Sequence, residues 1–114
     1  MPRFSRAGIL GSAERGICSI PIITKHHRCP HRRNANFNGN ASPNVFIEGK
    51  AAIRLGDGGS CNCPHGGTFS ATDSSNSVFI NGKGAIRIKD ETTCNLCGRK
   101  GYVTTACNSV FIGD

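Results

Sequence analysis

A segment of 16 residues that occurs twice constrains the fold of this chain more than any other feature. Residues 42–57 and 75–90 are identical at 10 of 16 positions, with an offset of 33 residues. A third copy opens at residues 108–113, offset by 32 residues, with the same Val-Phe-Ile run. A period of this length is typical of a stacked or pseudo-symmetric array, in which no single unit buries a core alone. The chain is therefore predicted to be a repeat protein.

Each copy of the segment predicts a short β-hairpin. In the second copy, the β-branched and aromatic run Val78–Ile80 leads into Asn81-Gly82. Asn-Gly is the strongest short hairpin signal, because both central positions of a type I′ turn need a positive φ. A second apolar run, Ala85–Ile88, follows the turn, and nowhere does the chain show a capped pattern of helical period. The sequence thus predicts an all-β array of short hairpins.

Length and composition predict one domain over residues 1–114. Its repeat core is placed at residues 29–114, and residues 1–28 are expected to form an N-terminal segment with an extended first loop. Arg6-Ala7-Gly8 could be a remnant of the strand end Arg54-Leu55-Gly56, although three residues are weak evidence. Aromatic residues are only 6% of the chain. Burial alone should stabilise such a domain poorly, so a metal, a partner or disulfides are expected to help.

The N-terminus is basic but lacks the apolar core of a signal peptide, and no window of about 18 apolar residues occurs. We therefore expect synthesis in the cytoplasm without export by the general secretory route. The formal net charge is +7 and the pI is about 9.4. This charge is compatible with nucleic acid or an acidic protein surface as partner, or with a basic surface that simply keeps the protein soluble.

The seven cysteines are interpreted as metal ligands before disulfides, because cytosolic thiols stay reduced. His31 lies 14 residues before Val45, His65 lies 13 before Val78, and Cys97 lies 13 before Val110. If the three repeats surround a threefold axis, these positions converge on it. Imidazole and thiolate ligands in tetrahedral geometry select Zn²⁺ in a closed, structural site. The first candidate for the fourth ligand is Cys63, and the alternatives are Cys29, Cys94 and His26.

The remaining cysteines and the carboxylates have less specific interpretations. Cys18 and Cys107 are expected to act as small buried hydrophobes. Cys61 and Cys94 occupy equivalent repeat positions and could pair with each other or bind metal. Asp57 and Asp90 stand at equivalent strand ends and are expected to stabilise turns. Catalysis is not expected, because the thiols and imidazoles are assigned to metal binding and the carboxylates to turns.

The repeated Val-Phe-Ile-(Glu/Asn)-Gly-Lys-x-Ala-Ile-Arg-x-x-Asp segment resembles the PAAR-repeat family, the spike-tip proteins of type VI secretion systems and contractile phage tails. The matching segments are 44–57, 77–90 and 108–113, with Cys63-Pro64-His65-Gly66-Gly67 and Cys97-Gly98 between them. The Pro-Ala-Ala-Arg tetrapeptide is degenerate, since it appears as Ala51-Ala52-Ile53-Arg54 and Gly84-Ala85-Ile86-Arg87. The usual Gly-Asp is kept at Gly56-Asp57 but becomes Lys89-Asp90 in the second copy.

The resemblance implies a small cone-shaped, pseudo-threefold array of β-hairpins with one structural Zn²⁺ near its apex, held in the family by three His and one Cys. His31, His65 and Cys97 fall on such ligand positions. A site of two His and two Cys that includes Cys63 is as credible as a three-His site that uses His26 or His27.

The broad base of such a cone would bind the blunt end of a trimeric β-helical spike, one tip per trimer. The tip would then help to pierce the target membrane, with transient contact to that membrane. Effector proteins are further candidate partners, and nucleic acid is not expected. Because residue 114 directly follows the last predicted strand, we expect a bare tip that carries cargo non-covalently. The injection machine would deliver it outside the cell or into a target cell, or a virion tail would carry it.

The alternative function is a zinc-ribbon-like nucleic-acid-binding module. It is suggested by Cys61-x-Cys63, by Cys94-x-x-Cys97 and by the basic run Lys25–Arg33. Apart from Phe37, aromatic residues that could stack on bases are missing near this run, which disfavours the alternative.

Overall fold

The computed structural model describes residues 5–18, 31–61, 67–96 and 98–113. Within these ranges the chain contains strands, turns and bends but no helix, and hence no helix long and apolar enough to cross a membrane. The all-β prediction is confirmed. The strands are β1 (Ser5–Arg6), β2 (Ala13–Cys18), β3 (His31–Asn36), β4 (Phe46–Ile47), β5 (Lys50–Ala51), β6 (Gly58–Ser60), β7 (Thr68–Ala71), β8 (Phe79–Ile80), β9 (Lys83–Gly84), β10 (Glu91–Cys94), β11 (Lys100–Val103) and β12 (Phe111–Ile112).

Six of these strands form one antiparallel sheet in the order β3-β2-β11-β10-β7-β6. Its two outer strands, β3 and β6, also contact each other. The amide of Gly39 donates to the carbonyl of Gly58 at 2.9 Å, and the amide of Ser60 donates to Oδ1 of Asn38 at 3.1 Å. The sheet is thus a nearly closed barrel, consistent with a small β cone, and its closure covers strand edges that would otherwise be open to pairing.

The repeated segment forms the predicted hairpins, as β4–β5 and β8–β9. Asn81 and Gly82 have φ values of 54° and 78°, and Glu48 and Gly49 in the first copy have 53° and 78°. These are the positive angles that a type I′ turn requires. Each ladder contains only two residue pairs, because the second apolar run leaves its own hairpin and bonds to neighbouring repeats.

The third hairpin is closed by the N-terminal segment of the chain. β12 pairs with β1, with Ser5 opposite Ile112 and Arg6 opposite Phe111. Residues 5–18 therefore belong to the array, in contrast to the predicted repeat core of residues 29–114. The proposed match of residues 6–8 to 54–56 was wrong by three positions, since Arg6 takes the place of Ala51 and Gly84. The equivalence of Arg6 with Ala51 and Gly84 is set by main-chain pairing, so the side chains at these positions need not be similar.

The three repeats meet in a cyclic set of main-chain contacts. The amide of Gly8 donates to the carbonyl of Ile86 at 2.8 Å, that of Ile86 donates to Ile53 at 3.3 Å, and that of Ile53 donates to Gly8 at 3.3 Å. Three isolated bridges follow the same cycle and pair Ala7 with Arg87, Arg54 with Ala85, and Ile9 with Ala52. The repeats therefore surround an approximate threefold axis, as predicted. Ala7, Ala52 and Ala85 are fully buried, because only small side chains fit where three segments of the chain converge.

An acceptor side chain closes the same turn in all three repeats. Oδ2 of Asp57 accepts from the amide of Arg54 at 2.8 Å, and Oδ2 of Asp90 accepts from that of Arg87 at 2.7 Å. In the third repeat, Oγ of Ser12 accepts from the amide of Ile9 at 3.0 Å. The predicted turn role of the aspartates is confirmed.

The motif arginines form ion pairs that local sequence does not predict, one buried at Arg54 and one partly buried at Arg87. Nε of Arg54 lies 2.9 Å from Asp57, and a guanidinium nitrogen of Arg87 lies 3.0 Å from Asp90. Burial raises the pKa of Asp90, and hydrogen bonds from Arg87 oppose that effect.

Apolar side chains pack in two buried clusters, one on the hairpins and one inside the barrel. The hairpin cluster contains Ala7, Ile47, Ala52, Ile80, Ala85, Cys107 and Ile112. The barrel cluster contains Ala35, Phe37, Ile53, Phe69, Ala71, Ile86 and Val103. In the barrel, the rings of Phe37 and Phe69 meet edge to face with centroids 4.9 Å apart. Cys107 is 1% exposed, so its predicted role as a buried hydrophobe is confirmed.

We predict that Gly8→Ala destabilises the protein because the axis has no room for a third side chain. A Cβ at position 8 would lie 2.7 Å from Cδ1 and 2.8 Å from Cγ1 of Ile53. Overpacking of this kind costs about 1–3 kcal/mol. In an Ile53→Ala background the same substitution should cost clearly less, since both clashing atoms are gone. Urea unfolding of the four proteins of this double-mutant cycle measures the coupling, and equal costs in both backgrounds would contradict the packing argument.

Candidate functional site at the loop end and the hairpin end

All three connections that carry predicted metal ligands start and return at the same end of the barrel. Because each neighbouring pair of strands is antiparallel, β2, β6 and β10 run in one direction. The connections after these strands therefore leave from one end, which we call the loop end. The three two-stranded hairpins lie beyond the opposite end of the sheet, which we call the hairpin end.

The described residues do not test the predicted zinc ligands. Cys63, His65 and Cys97 lie outside them, as do the alternatives His26, His27 and Cys29. His31 is the first residue of β3 and pairs through its main chain with Cys18 at the loop end. Within the described ranges, no three His, Cys, Asp or Glu side chains form a group that could hold a metal. The zinc site therefore stays a prediction.

Main-chain hydrogen bonds hold the chain on both sides of the predicted ligands. The amide of Cys61 donates to the carbonyl of Gly67 at 3.1 Å, across the start and end of segment 62–66. The amide of Cys94 donates to the carbonyl of Arg99 at 2.9 Å, and that of Gly98 to Cys94 at 2.8 Å, around position 97. Both connections are short and start from rigid strand ends. Such a scaffold can present nitrogen and sulfur ligands from different repeats to one cation.

Cys61 and Cys94 do not form the disulfide that their equivalent positions allowed. No disulfide joins them, and Cys94 is fully buried. Strand β7 lies between the strands that lead to them. Two strand spacings amount to about 10 Å, which exceeds the Cα separation of about 4.4–6.8 Å that a disulfide spans. The pairing alternative was therefore wrong, and ligation of metal by Cys94 remains open.

A buried ion pair lies inside the barrel, between the neighbouring strands β2 and β3. Arg33 and Glu14 are both 0% exposed, and Arg33 donates to the Glu14 carboxylate through Nε and a terminal nitrogen at 2.8–3.1 Å. The Thr92 hydroxyl donates to the same carboxylate at 2.6 Å, and Arg33 also donates to the carbonyl of Arg99 at 3.2 Å. These bonds join β2, β3 and β10 to the residue before β11.

Two glycines make room for this guanidinium. A Cβ at Gly16 would lie 2.6 Å from a terminal nitrogen of Arg33, and one at Gly101 would lie closer still. Sequence analysis missed the ion pair, because nothing local distinguishes Arg33 from its neighbour Arg32 in a basic run. Only the alternation of β3, with positions 33 and 35 buried and 32 and 34 exposed, separates them.

The hairpin end presents an apolar ring with the symmetry of the fold. Phe46, Phe79 and Phe111 are 62%, 61% and 55% exposed, although they occupy equivalent positions in three repeats. The valine before each phenylalanine is also exposed, whereas the isoleucine after it is buried. A large exposed aromatic that recurs in all three repeats is characteristic of a binding surface rather than of chance exposure.

Each hairpin turn also bonds to a neighbouring repeat, so the three hairpins are linked in a cycle. The Glu48 carboxylate accepts from the amides of Asn108 and Ser109 at 2.9 and 2.8 Å. The bond from the Ser109 hydroxyl, together with these two amide bonds, lowers the pKa of Glu48. The Asn81 amide oxygen accepts from the hydroxyl of Ser42 at 2.7 Å, and the Gly113 carbonyl accepts from that of Ser75 at 2.7 Å.

Comparison with known proteins supports the family resemblance. The sequence model of the PAAR motif matches residues 38–97, slightly more than half of the chain. The match begins just after β3 and ends at the predicted ligand Cys97, so it covers both complete copies of the repeated segment. No curated protein matches the chain with significance.

We predict that Glu14→Gln is much more destabilising than Glu91→Gln. Removing one charge of a buried pair leaves the other uncompensated and costs about 3–5 kcal/mol. Glu91 instead pairs with Lys100 at 3.4 Å, and both side chains are substantially exposed. The loss of such a surface pair costs at most about 1 kcal/mol. Chemical denaturation of both variants at neutral pH provides the measurement, and similar costs would contradict a structural role of the buried pair.

Proposed function

Because the chain belongs to the PAAR-motif family, we propose that it is the structural tip of the spike of a contractile injection machine, either a type VI secretion system or a phage tail. Membership of this family is consistent with a spike-tip protein. In this role the hairpin end caps the spike, and the loop end leads towards the target. The observation that carries the proposal is the threefold ring of exposed phenylalanines on a single chain.

Symmetry explains why one chain can cap a trimer. A trimeric β-helical spike ends in three identical surfaces, each related to the next by 120° about the spike axis. The exposed residues Phe46, Phe79 and Phe111 repeat about the pseudo-threefold axis of the tip, so each can meet the same groove on one spike chain. Burying an aromatic side chain provides about 1.5–3 kcal/mol, and three equivalent anchors act together without further loss of rigid-body freedom.

Charge at the hairpin end adds a condition on the spike. Lys50 and Lys83 occupy equivalent exposed positions beside the ring, and Arg6 lies on the third hairpin. A partner surface with carboxylates or free carbonyls at its rim would complement these cations. The spike end should therefore combine an apolar centre with an acidic or carbonyl-rich rim.

The proposed zinc ion would crosslink the loop end, with His31, Cys63, His65 and Cys97 as ligands. Structural Zn²⁺ in small domains supplies on the order of 10 kcal/mol of binding free energy, coupled to folding. Domains usually have a total stability of about 5–15 kcal/mol. Support comes from the three ligand-bearing connections, which leave one end of the barrel, and from the donor types, which suit zinc. The ion would stiffen the part of the tip that meets resistance first.

Membrane penetration and cargo transport are further parts of the proposal. A narrow, crosslinked end concentrates the force of sheath contraction on a small membrane area, and effector proteins could travel bound to the tip. The proposed role is non-enzymatic, and Asp57, Asp90 and Glu14 are engaged in structural ion pairs. The protein would be made in the cytoplasm and would leave the cell with the machine, or would be carried in the virion tail.

We predict one Zn²⁺ per chain, and chelation should lower the thermal midpoint strongly. His31→Ala and His65→Ala should each reduce the metal-to-chain ratio, measured by elemental analysis, and the thermal midpoint. Cys107→Ala is the matched control, because this thiol is buried in the hairpin cluster away from the loop end and should leave the ratio at one. Purified protein that carries no metal and keeps its stability in a chelator would refute the site.

We predict that one tip binds one spike trimer. Phe46→Ser, Phe79→Ser and Phe111→Ser should each weaken binding by at least tenfold, since each removes an anchor worth more than about 1.4 kcal/mol. Tyr102→Ser is the matched control, because this aromatic is similarly exposed at 54% but lies on β11, outside the ring. Calorimetric titration gives both stoichiometry and affinity. Three tips per trimer, or equal losses in the control, would contradict the proposal.

A further inference from the structure

The sides of the barrel differ sharply in charge, although the main chain is nearly symmetric. One half of the sheet consists of β3, β2 and β11, and the other of β10, β7 and β6. The second half exposes serine, threonine and asparagine, and Glu91 is the only charged residue on its described strands. The first half exposes three cations on its strands, and a fourth directly precedes β11. We call this half the basic face; its cations are Arg15, Arg32, Arg99 and Lys100.

The cations of the basic face lie close together near the loop end. Arg32 is the second residue of β3, opposite Ile17 of β2. Because Gly101 of β11 pairs with Gly16 of β2 in antiparallel register, Lys100 also lies opposite Ile17, on the other side from Arg32. Since neighbouring strands are about 4.8 Å apart, the main chains at Arg32 and Lys100 are separated by roughly 10 Å. Arg15 lies two residues along β2 from Ile17, towards the hairpin end, and pairs with Tyr102.

Two exposed apolar side chains accompany the cations. Tyr102 is 54% exposed beside Arg15, and Leu96 is 45% exposed in the turn between β10 and β11, at the loop end itself. Among the described residues, the order from the loop end along the axis is therefore an aliphatic side chain, then the cations, and then a tyrosine further back. None of these residues belongs to the ring at the hairpin end.

We propose that the basic face and Leu96 form a binding surface for anionic lipid headgroups, which aligns the loop end on a negatively charged bilayer. Arginine and lysine near such a surface gain from its negative potential. Tyrosine favours the interface between headgroups and acyl chains, and a foremost leucine can enter the apolar layer. The biological use of this surface rests on the proposed function, but the binding itself does not require the spike.

The apolar residues favour a bilayer over other polyanions. A phosphate backbone or an acidic peptide would complement the four cations but would offer nothing to an exposed leucine at the leading end. A bilayer complements both, because the headgroup phosphates lie directly above an apolar region. The one-sided placement of the cations further predicts that the tip meets the bilayer obliquely, with β3, β2 and β11 towards the lipid.

The test compares the full chain on phosphatidylcholine vesicles with and without about a third of phosphatidylglycerol, by co-sedimentation. The basic-face triple variant is Arg15→Gln with Arg99→Gln and Lys100→Gln. The control triple variant, Lys50→Gln with Lys83→Gln and Lys89→Gln, removes the same charge from exposed positions outside the face. Each cation near the surface contributes roughly fivefold, so the first triple should weaken binding to anionic vesicles by about 100-fold. The control should change it by much less.

Salt and the apolar residue provide independent readouts. Binding to anionic vesicles should weaken as ionic strength rises, and Leu96→Ser should weaken it further without altering the salt dependence. Thermal midpoints close to that of the unmodified protein would show that each variant folds. Equal binding to neutral vesicles, or equal losses in both triple variants, would overturn the proposal. A DNA duplex retained as tightly as anionic vesicles, by the unmodified protein and by Leu96→Ser alike, would assign the face to nucleic acid and also overturn it.

Measuring spike binding alongside vesicle binding distinguishes a failure of the lipid surface from a failure of the proposed function. The basic-face triple variant should bind the spike with unchanged affinity, because its residues lie outside the phenylalanine ring. The ring variants should in turn bind anionic vesicles normally. If the unmodified protein binds anionic vesicles but no spike, the proposed function fails alone. If it binds the spike but no vesicles, the lipid surface fails alone.

Discussion

The architecture depends on three main-chain hydrogen bonds that form a closed cycle around the pseudo-threefold axis. Gly8 donates to Ile86, Ile86 to Ile53, and Ile53 to Gly8, so each repeat requires the next. No hairpin of two residue pairs would be stable alone in water. Once the cycle closes, the alanines beside it are buried. The turns closed by Ser12, Asp57 and Asp90 then direct β2, β6 and β10 towards one end of the barrel, and the hairpins lie at the other end. The separation of a loop end from a hairpin end follows from this junction.

Departures from threefold symmetry occur where three identical side chains could not all be accommodated. The axis holds Ile53 and Ile86 because the third position is Gly8. In the barrel, one guanidinium and one carboxylate from neighbouring strands fill space that glycines on β2 and β11 leave open. A single chain can assign a different residue to each equivalent site, which a homotrimer cannot do. This fold can therefore be symmetric at its hairpin end and asymmetric elsewhere.

The two ends consequently suit different partners. Three equivalent phenylalanines at the hairpin end match a symmetric, rigid surface, and hydrogen bonds between successive hairpin turns keep their spacing fixed. At the loop end the cations are concentrated on one half of the sheet, which suits a fluid, uniformly charged surface better than a symmetric one. Both arrangements use the same β-scaffold, because exposed side chains of a strand can change without disturbing main-chain pairing.

Local sequence determined the hairpins, the turn role of Asp57 and Asp90, the repeat number and the family, because each rests on residues close together in the chain. The spacing of His31, His65 and Cys97, with Cys63 as the first candidate for a fourth ligand, also came from sequence and remains the basis of the zinc prediction. Only the tertiary structure decided that β1 completes the third repeat, that Arg33 is buried with Glu14, and that Cys61 and Cys94 lie on either side of β7. Those features arise from main-chain pairing between distant segments, and such pairing depends on register and direction rather than on which side chains flank it.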